Sequence, residues 1–331
     1  MLDTRLTLAL DAGLALPDAG KVAAFRPPAD IDLSHLDTGR VQVIHDSRPL
    51  YDHWAEKGYE AVRNTQDRYA AAIVSLPRAK ADARALIAEA CAVTDGPVVI
   101  DGQKTDGVDS ILRDMRRRVT VQGPISKAHG KIFWIDAGMS HFFEDWQAGP
   151  SLTDGGFWTA PGVFSADAVD LGSAMLADAL PERMEGQVAD LGAGWGYLSA
   201  HVMTRPQVEE VHLVEAGHMA LECARRNVTD DRATFHWADV TTWEPPQRMQ
   251  AVVMNPPFHT GRAAEPAMGQ AFVAAAARVL GTHGTLWMVA NRHLPYEAEL
   301  NTHFAEVEEL GGDARFKLFR AHRPTGRSRR S

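Results

Sequence analysis

Cysteine is scarce. The 331 residues contain two, Cys91 and Cys223, far apart and neither in a C-x-x-C pair. A disulfide framework or a zinc knuckle needs more thiols at closer spacing, so both are excluded. Each thiol reads as a small buried apolar residue. Long hydrophobic runs are also missing: no stretch approaches the roughly 20 apolar residues that span a bilayer. The opening segment MLDTRLTLALDAGLALPDAG carries Asp3 and Asp11 and no basic leader, so it does not read as a signal peptide, and a cytoplasmic protein is expected. An excess of basic charge is lacking as well. Lys and Arg number 34 against 43 Asp and Glu, a net charge of −9, which excludes a protein that coats nucleic acid nonspecifically. A local basic patch is still possible: Arg315, Lys317, Arg320, Arg323, Arg327, Arg329 and Arg330 are opposed within the last stretch only by Asp313. Histidines show no metal-ligand spacing, and no metal is expected.

What is present suits a soluble globular chain, with 45% hydrophobic and 23% charged residues. The length implies two domains. The stretch QAGPSLTDGGFWTAPGVFS over 147–165 is rich in Gly, Pro, Ser and Thr and reads as the crossover, giving domains 1–150 and 151–331. The first half reads as α/β. SRPLYDHWAEKGYEAV suggests loop then helix, ADARALIAEACAV an amphipathic helix, GPVVIDG a buried strand, VDSILRDMRRRV a helix and KIFWIDAG a strand. Arg116, Arg117 and Arg118 read as a solvated helix end. The second half alternates more cleanly. ADAVDLGSAMLADAL is a helix, GQVADLGAG a strand entering a glycine loop, GYLSAHVMTR a helix, VEEVHLVEA a strand, HMALECARRNV a helix and RATFHWADV a strand. MQAVVMNPPF is a strand ending in two prolines, PAMGQAFVAAAARVL a helix and GTLWMVAN a strand, followed by candidates around AEVEEL and RFKLFRA. Strict alternation implies a parallel sheet with helices on both faces.

Asp190-Leu191-Gly192-Ala193-Gly194-Trp195-Gly196 lies between a strand and a helix, the context a nucleotide-type glycine loop requires. Glycines permit the tight turn and bring a ligand against backbone N–H groups at the helix start. Glu215 ends the next strand, where an acid can accept hydrogen bonds from ribose hydroxyls. Asp239 ends the third, where an adenine amine could bind. Asn255-Pro256-Pro257-Phe258 ends the fourth, on the edge where open α/β sheets bind ligands. An aryl amine is a poor nucleophile because its lone pair is delocalised. Accepting its two N–H groups at the Asn255 side-chain oxygen and the Pro256 carbonyl would localise that pair, the prolines would preorganise the carbonyl, and Phe258 offers a ring for stacking on a base.

These motifs, in this order, resemble those of class I S-adenosylmethionine-dependent methyltransferases over roughly residues 165–320. The resemblance implies S-adenosyl-L-methionine as cofactor. It would be held by Asp190, Gly192, Ala193, Gly194, Gly196, Glu215, Ala216, Asp239, Val240 and Asn255, with Asp190 near the methionine amine and sulfonium. N-P-P-[FY] loops of this kind serve adenine-N6, guanine-N2 and protein glutamine methyltransferases. Two further segments, PGVFSADAVDLGSAMLADALP (161–181) and NPPFHTGR (255–262), resemble the small-subunit ribosomal RNA guanine-N2 methyltransferase family. That similarity implies two tandem Rossmann-like domains, the first degenerate and the second a doubly wound, mostly parallel seven-stranded sheet. It also implies ribosomal RNA or a ribosomal subunit as partner, no membrane, and Phe164, Ser165, His259 and Arg262 on the substrate side. The first half has GPVVIDGQKTDGVDS where a working domain would carry its glycine loop, which suggests a non-catalytic domain for RNA docking or folding support. Large-subunit RNA or another base amine, a protein glutamine, and a silent RNA-binding assembly factor are the alternatives.

Overall fold

The structure is a computed structural model that describes residues 4–257 and 266–326. The chain divides into two compact units, Met1–Pro150 and Ser151–Ser331.

The first unit runs α1 (Arg5–Asp11), β1 (Val22–Phe25), β2 (Val41–Ile44), α2 (Arg48–Glu56), β3 (Glu60–Val62), β4 (Ala71–Ser75), α3 (Lys80–Val93), β5 (Val98–Gln103), α4 (Val108–Arg116), β6 (Gln122–Lys127) and β7 (Gly130–Ile135). Its sheet has the order β3-β2-β1-β4-β5-β7-β6, parallel through β5 and antiparallel at β7 and β6. Every residue of β1, β2 and β4 is buried, as expected for parallel strands covered on both faces. α3 buries Ala83, Leu86, Ile87, Ala90 and Cys91, a helical repeat that packs with Phe25, Val74 and Ile100. The segment expected as loop then helix is ordered the other way. α2 starts at Arg48, with a proline in its first turn, and Glu60–Val62 forms the edge strand β3. Arg116 and Arg117 are exposed, but Arg118 is not a solvated helix end: it is paired with Asp145 at 2.5 Å and lies over the Trp146 ring.

The second unit runs β8 (Ser151–Leu152), β9 (Trp158–Thr159), α5 (Leu171–Ala179), β10 (Gly186–Leu191), α6 (Tyr197–Val202), β11 (Val208–Glu215), α7 (His218–Asn227), β12 (Ala233–Trp237), β13 (Met249–Met254), α8 (Pro266–Val279), β14 (Leu280–Asn291), α9 (Glu297–His303), β15 (Phe304–Gly312) and β16 (Phe316–Pro324). Its sheet order, β12-β11-β10-β13-β14-β16-β15, repeats that of the first unit strand for strand. Parallel alternation stops at β14, because β16 and β15 pair antiparallel. α5 is shorter than the helix expected over 166–180, since Asp170 is its N-cap and accepts from the Ser173 N–H at 2.8 Å. The basic stretch is not opposed by Asp313 alone. Pairing of β15 with β16 brings Glu308 to Arg320 at 2.9 Å and Glu306 to Arg323 at 3.0 Å, and Glu297 of α9 pairs with Lys317. Arg327, Arg329 and Arg330 lie outside the described residues.

The shared topology corrects the position of the missing glycine loop. β5, which carries GPVVIDG, corresponds by strand order to β14 and not to β10. The strand that corresponds to β10 is β1, central in its sheet, and the same hydrogen bond follows each: Arg26 N–H to the Ile44 carbonyl, and Gly192 N–H to the Val214 carbonyl, both 2.9 Å. Counting out from these bonds, Asp190, Gly192, Glu215 and Asn255 of the second unit correspond to Ala24, Arg26, His45 and Ser75 of the first. The loop after β1 is Arg26-Pro27-Pro28, and the Arg26 guanidinium is paired with the buried Asp82 at 2.7 Å. No acid, glycine or amide is left at these four positions.

Candidate active site

At the carboxyl ends of β10 and β13 the second unit forms an open cleft. It is lined by Phe164, Ser165, Asp170, Ser173, Asp190, the glycine loop, Tyr197, Leu198 and Asn255. The three loop glycines have positive φ, 76° at Gly192, 55° at Gly194 and 88° at Gly196. Gly192 and Gly196 also lack room for a side chain: a Cβ on Gly192 would meet the Phe272 ring at 3.1 Å. Gly196 is the N-cap of α6 and approaches α7 so closely that a Cβ would meet Val228 at 3.0 Å. Gly194 turns its N–H to the Glu215 carboxylate at 2.8 Å. The other oxygen of Glu215 accepts from the Gly217 N–H at 2.7 Å. This acid therefore ties the glycine loop to the end of β11.

Asp190 is 1% exposed at the end of β10. Its Oδ2 accepts from the Ser199 hydroxyl at 2.7 Å. Burial, aided by the negative charge of Glu215, pushes its carboxyl up to about 7 even though Ser199 opposes the shift. A carboxyl held this way gains from a cationic neighbour. Ala193 is buried in the loop, and the Ala216 carbonyl accepts from the Trp237 indole at 2.8 Å. Asp239 lies two residues beyond β12, and its Oδ1 caps Thr241 through both the N–H (2.8 Å) and the hydroxyl (2.7 Å). Val240 is buried beside it.

Asn255 follows β13. Its amide nitrogen donates to Asp170 Oδ2 at 3.0 Å and to Ser173 Oγ at 2.8 Å. Its Oδ1 is buried and has no hydrogen-bond partner among the described residues. Pro256 is buried and Pro257 half-buried. Phe258, His259 and Arg262 lie outside the described residues.

Phe164 and Ser165 reach the cleft on a strap that precedes α5. Asn227 at the end of α7 exchanges two hydrogen bonds with the Trp158 backbone and donates a third to the Trp195 carbonyl. The Trp195 indole donates to the Phe164 carbonyl at 3.0 Å, and Phe157 packs on the Trp195 ring. The Phe164 side chain remains 54% exposed, and Ser165 has a φ of 51°. Asp170, Ser173, Ser199 and Asn227 were not anticipated from sequence. The D-x-x-S spacing of 170–173 is a helix-cap signal that could have found the first pair. Asn227 has no local signal, because its partners lie 69 and 32 residues away.

A family model described as methyltransferase small domain matches residues 154–320. The chain belongs to that family. Among curated relatives it is 26% identical to ribosomal RNA small subunit methyltransferase C of Alteromonas mediterranea, over 94% of this chain and 97% of the relative. It is 30% identical to the protein of the same name from Aeromonas hydrophila, over 76% and 77%. Among solved structures it is similar to the T. thermophilus 16S rRNA N2 G1207 methyltransferase, determined with AdoMet and guanosine, at a TM-score of 0.78 and 24% identity. That match covers 93% of this chain and 90% of the other, so the two-unit fold is shared.

Among the described residues no cluster of His, Cys, Asp and Glu could hold a metal ion, and no helix is long and apolar enough to cross a membrane.

Proposed function

We propose that the second unit transfers a methyl group from S-adenosylmethionine to the exocyclic N2 amine of a guanine in small-subunit ribosomal RNA. The observation that carries this reading is the buried, unpartnered Oδ1 of Asn255 beside the glycine loop. A buried acceptor without a partner costs roughly 1–3 kcal/mol, and an amine N–H would satisfy it.

The residues present fit the cofactor. Asp190 and the Gly192–Gly196 loop would hold its methionine end, Glu215 its ribose, and Asp239 with Val240 its adenine. When bound, it supplies an electrophilic methyl: the N–C bond forms from the amine lone pair as the C–S bond breaks, its electrons returning to sulfur, and the amine proton then leaves to water. Asn255 Oδ1 and the Pro256 carbonyl accept the two amine hydrogens and so restore lone-pair density to nitrogen. The buried Pro256 limits backbone adjustment, so the acceptors are preorganised. Exposed Phe164 supplies an apolar platform at the mouth for the base, and Phe258, outside the described residues, is proposed for the same role. His259 and Arg262, outside the described residues, are proposed to meet the RNA on the substrate side. The rate gain comes chiefly from positioning.

The first unit, with Ala24, Arg26, His45 and Ser75 at the four site positions, carries no second centre and serves RNA docking or folding support. Exposed Arg113, Arg116 and Arg117 on and after α4, which form no ion pair among the described residues, offer phosphate contacts.

Nucleoside mass spectrometry of separated small- and large-subunit RNA, from cells with and without the protein, tests the reading. Loss of one N2-methylguanosine from the small-subunit RNA is expected. Loss confined to large-subunit RNA would correct the substrate. No change in either would overturn the assignment and turn attention to another amine, including a protein glutamine.

A further inference from the structure

We propose that Asp170 and Ser173, at the start of α5, are positioning residues that determine which end of the Asn255 side-chain amide faces the substrate amine. The inference rests on the methyl-transfer reading and deepens it. The two ends of an asparagine amide are nearly the same size, yet only the oxygen can accept an N–H. A flipped amide would set N–H against N–H and leave the lone pair of the incoming amine delocalised. Packing cannot choose between the two orientations, so something chemical must.

The structure contains that selection. A carboxylate can only accept, and Asp170 Oδ2 lies 3.0 Å from Asn255 Nδ2. The second amide hydrogen goes to Ser173 Oγ at 2.8 Å. Both N–H groups are thereby used on α5, and Oδ1 is turned away from it with no partner. Flipping would bring Oδ1 onto a carboxylate oxygen in a half-buried site, acceptor against acceptor. The same Asp170 Oδ2 also caps α5 through the Ser173 N–H. One oxygen therefore joins the helix start to the amide, across 85 residues of sequence.

The test uses the full chain and three variants. Asp170→Ala removes the acceptor and the cap. Ser173→Ala removes one acceptor and keeps the capped N–H. Asp170→Asn can present an amide oxygen in the same place without the charge. Expected for Asp170→Ala is a roughly 10- to 100-fold fall in kcat, with RNA KM and cofactor affinity little changed. Ser173→Ala should fall less, and Asp170→Asn should recover most of the loss. A second readout does not need turnover. The chain has five asparagines, so selective 15N-asparagine labelling resolves their side-chain NH₂ groups, and the Asn255→Ala variant assigns one pair. That pair should exchange slowly in the unsubstituted protein and quickly in Asp170→Ala. Exchange as fast as that of exposed Asn64, kcat within twofold in folded Asp170→Ala and Ser173→Ala, or no recovery in Asp170→Asn would each overturn the proposal. If the unsubstituted protein methylates no guanine N2, the substrate reading fails and the exchange experiment still judges the positioning role.

Discussion

Asn255 and Glu215 lie at the ends of β13 and β11, on either side of β10, and should fail differently. Asn255→Ala removes an acceptor used only as the amine becomes nucleophilic. A fall in kcat of roughly 100-fold is expected, with cofactor affinity within about twofold by calorimetry; full activity would refute the lone-pair argument. Glu215→Ala removes a charged acceptor and frees the Gly194 and Gly217 N–H groups. Cofactor binding should weaken by roughly 10- to 100-fold, the equivalent of one or two charged hydrogen bonds. Asp190 supplies a pH signature. Its carboxyl is pushed up to about 7 by burial, and a cationic ligand favours the ionised form. Binding therefore requires proton loss below pH 7, and cofactor affinity should rise roughly tenfold between pH 6 and 8, levelling off above 7. In Asp190→Asn, binding should be weaker and this pH dependence absent.

At the scale of the element, the strap before α5 is tied to the glycine loop by side chains, since its only ladder is the short pairing of β8 with β9. β9 is two residues long. Asn227 supplies the tie between it and the glycine loop with three hydrogen bonds of 2.7–2.8 Å. Asn227→Ala should release the strap at a cost of roughly 2–3 kcal/mol. Hydrogen exchange should then speed up at residues 157–166 and stay unchanged at β10 and β13. Equal protection in the variant would show that Trp195 and Phe157 suffice. Elements of this kind are poorly legible from sequence. The glycine loop, Glu215 and N-P-P were readable because each is a short run at the end of an apolar strand. The partners of Asn227 were not, because the contact is made by chain segments that only the fold brings together.

For the whole molecule, the two units share one strand order, but the positions of Asp190, Gly192, Glu215 and Asn255 are taken in the first unit by Ala24, Arg26, His45 and Ser75. His45 takes the place of Glu215. It is 4% exposed, and burial, with Arg26 adding to it, lowers its pKa from 6.5 to about 4. The native state keeps it neutral, whereas the unfolded chain takes up a proton near pH 6.5. The stability it contributes is present in full above 6.5 and lost as the pH falls toward 4, up to about 3 kcal/mol. Burial likewise holds His236 in the second unit near 4. His45→Asn, which keeps an acceptor for the Ser47 N–H, should flatten the fall in Tm between pH 6.5 and 4 when compared with the unsubstituted chain. An unchanged slope would rule His45 out as a source of acid sensitivity.

Residue order alone determined the two-domain division, the alternation of strand and helix in the second half, and the ordered motifs from Asp190 to Pro257, because those signals are local. Glycine is favoured where φ is positive, prolines where the backbone must stay fixed, and apolar runs where strands are covered on both faces. Tertiary structure alone decided three things. It showed that β1, and not β5, corresponds to the glycine-loop strand, since β1 and β4, only four and five residues long, carry too little periodicity to be ranked by sequence. It neutralised much of the C-terminal basic stretch, since acids on β15 and α9 reach β16 only through sheet pairing and packing. And it oriented Asn255, because the residues that select its amide face lie on a helix 85 positions earlier, joined to it by the packing of α5 beside the sheet and not by proximity in the chain.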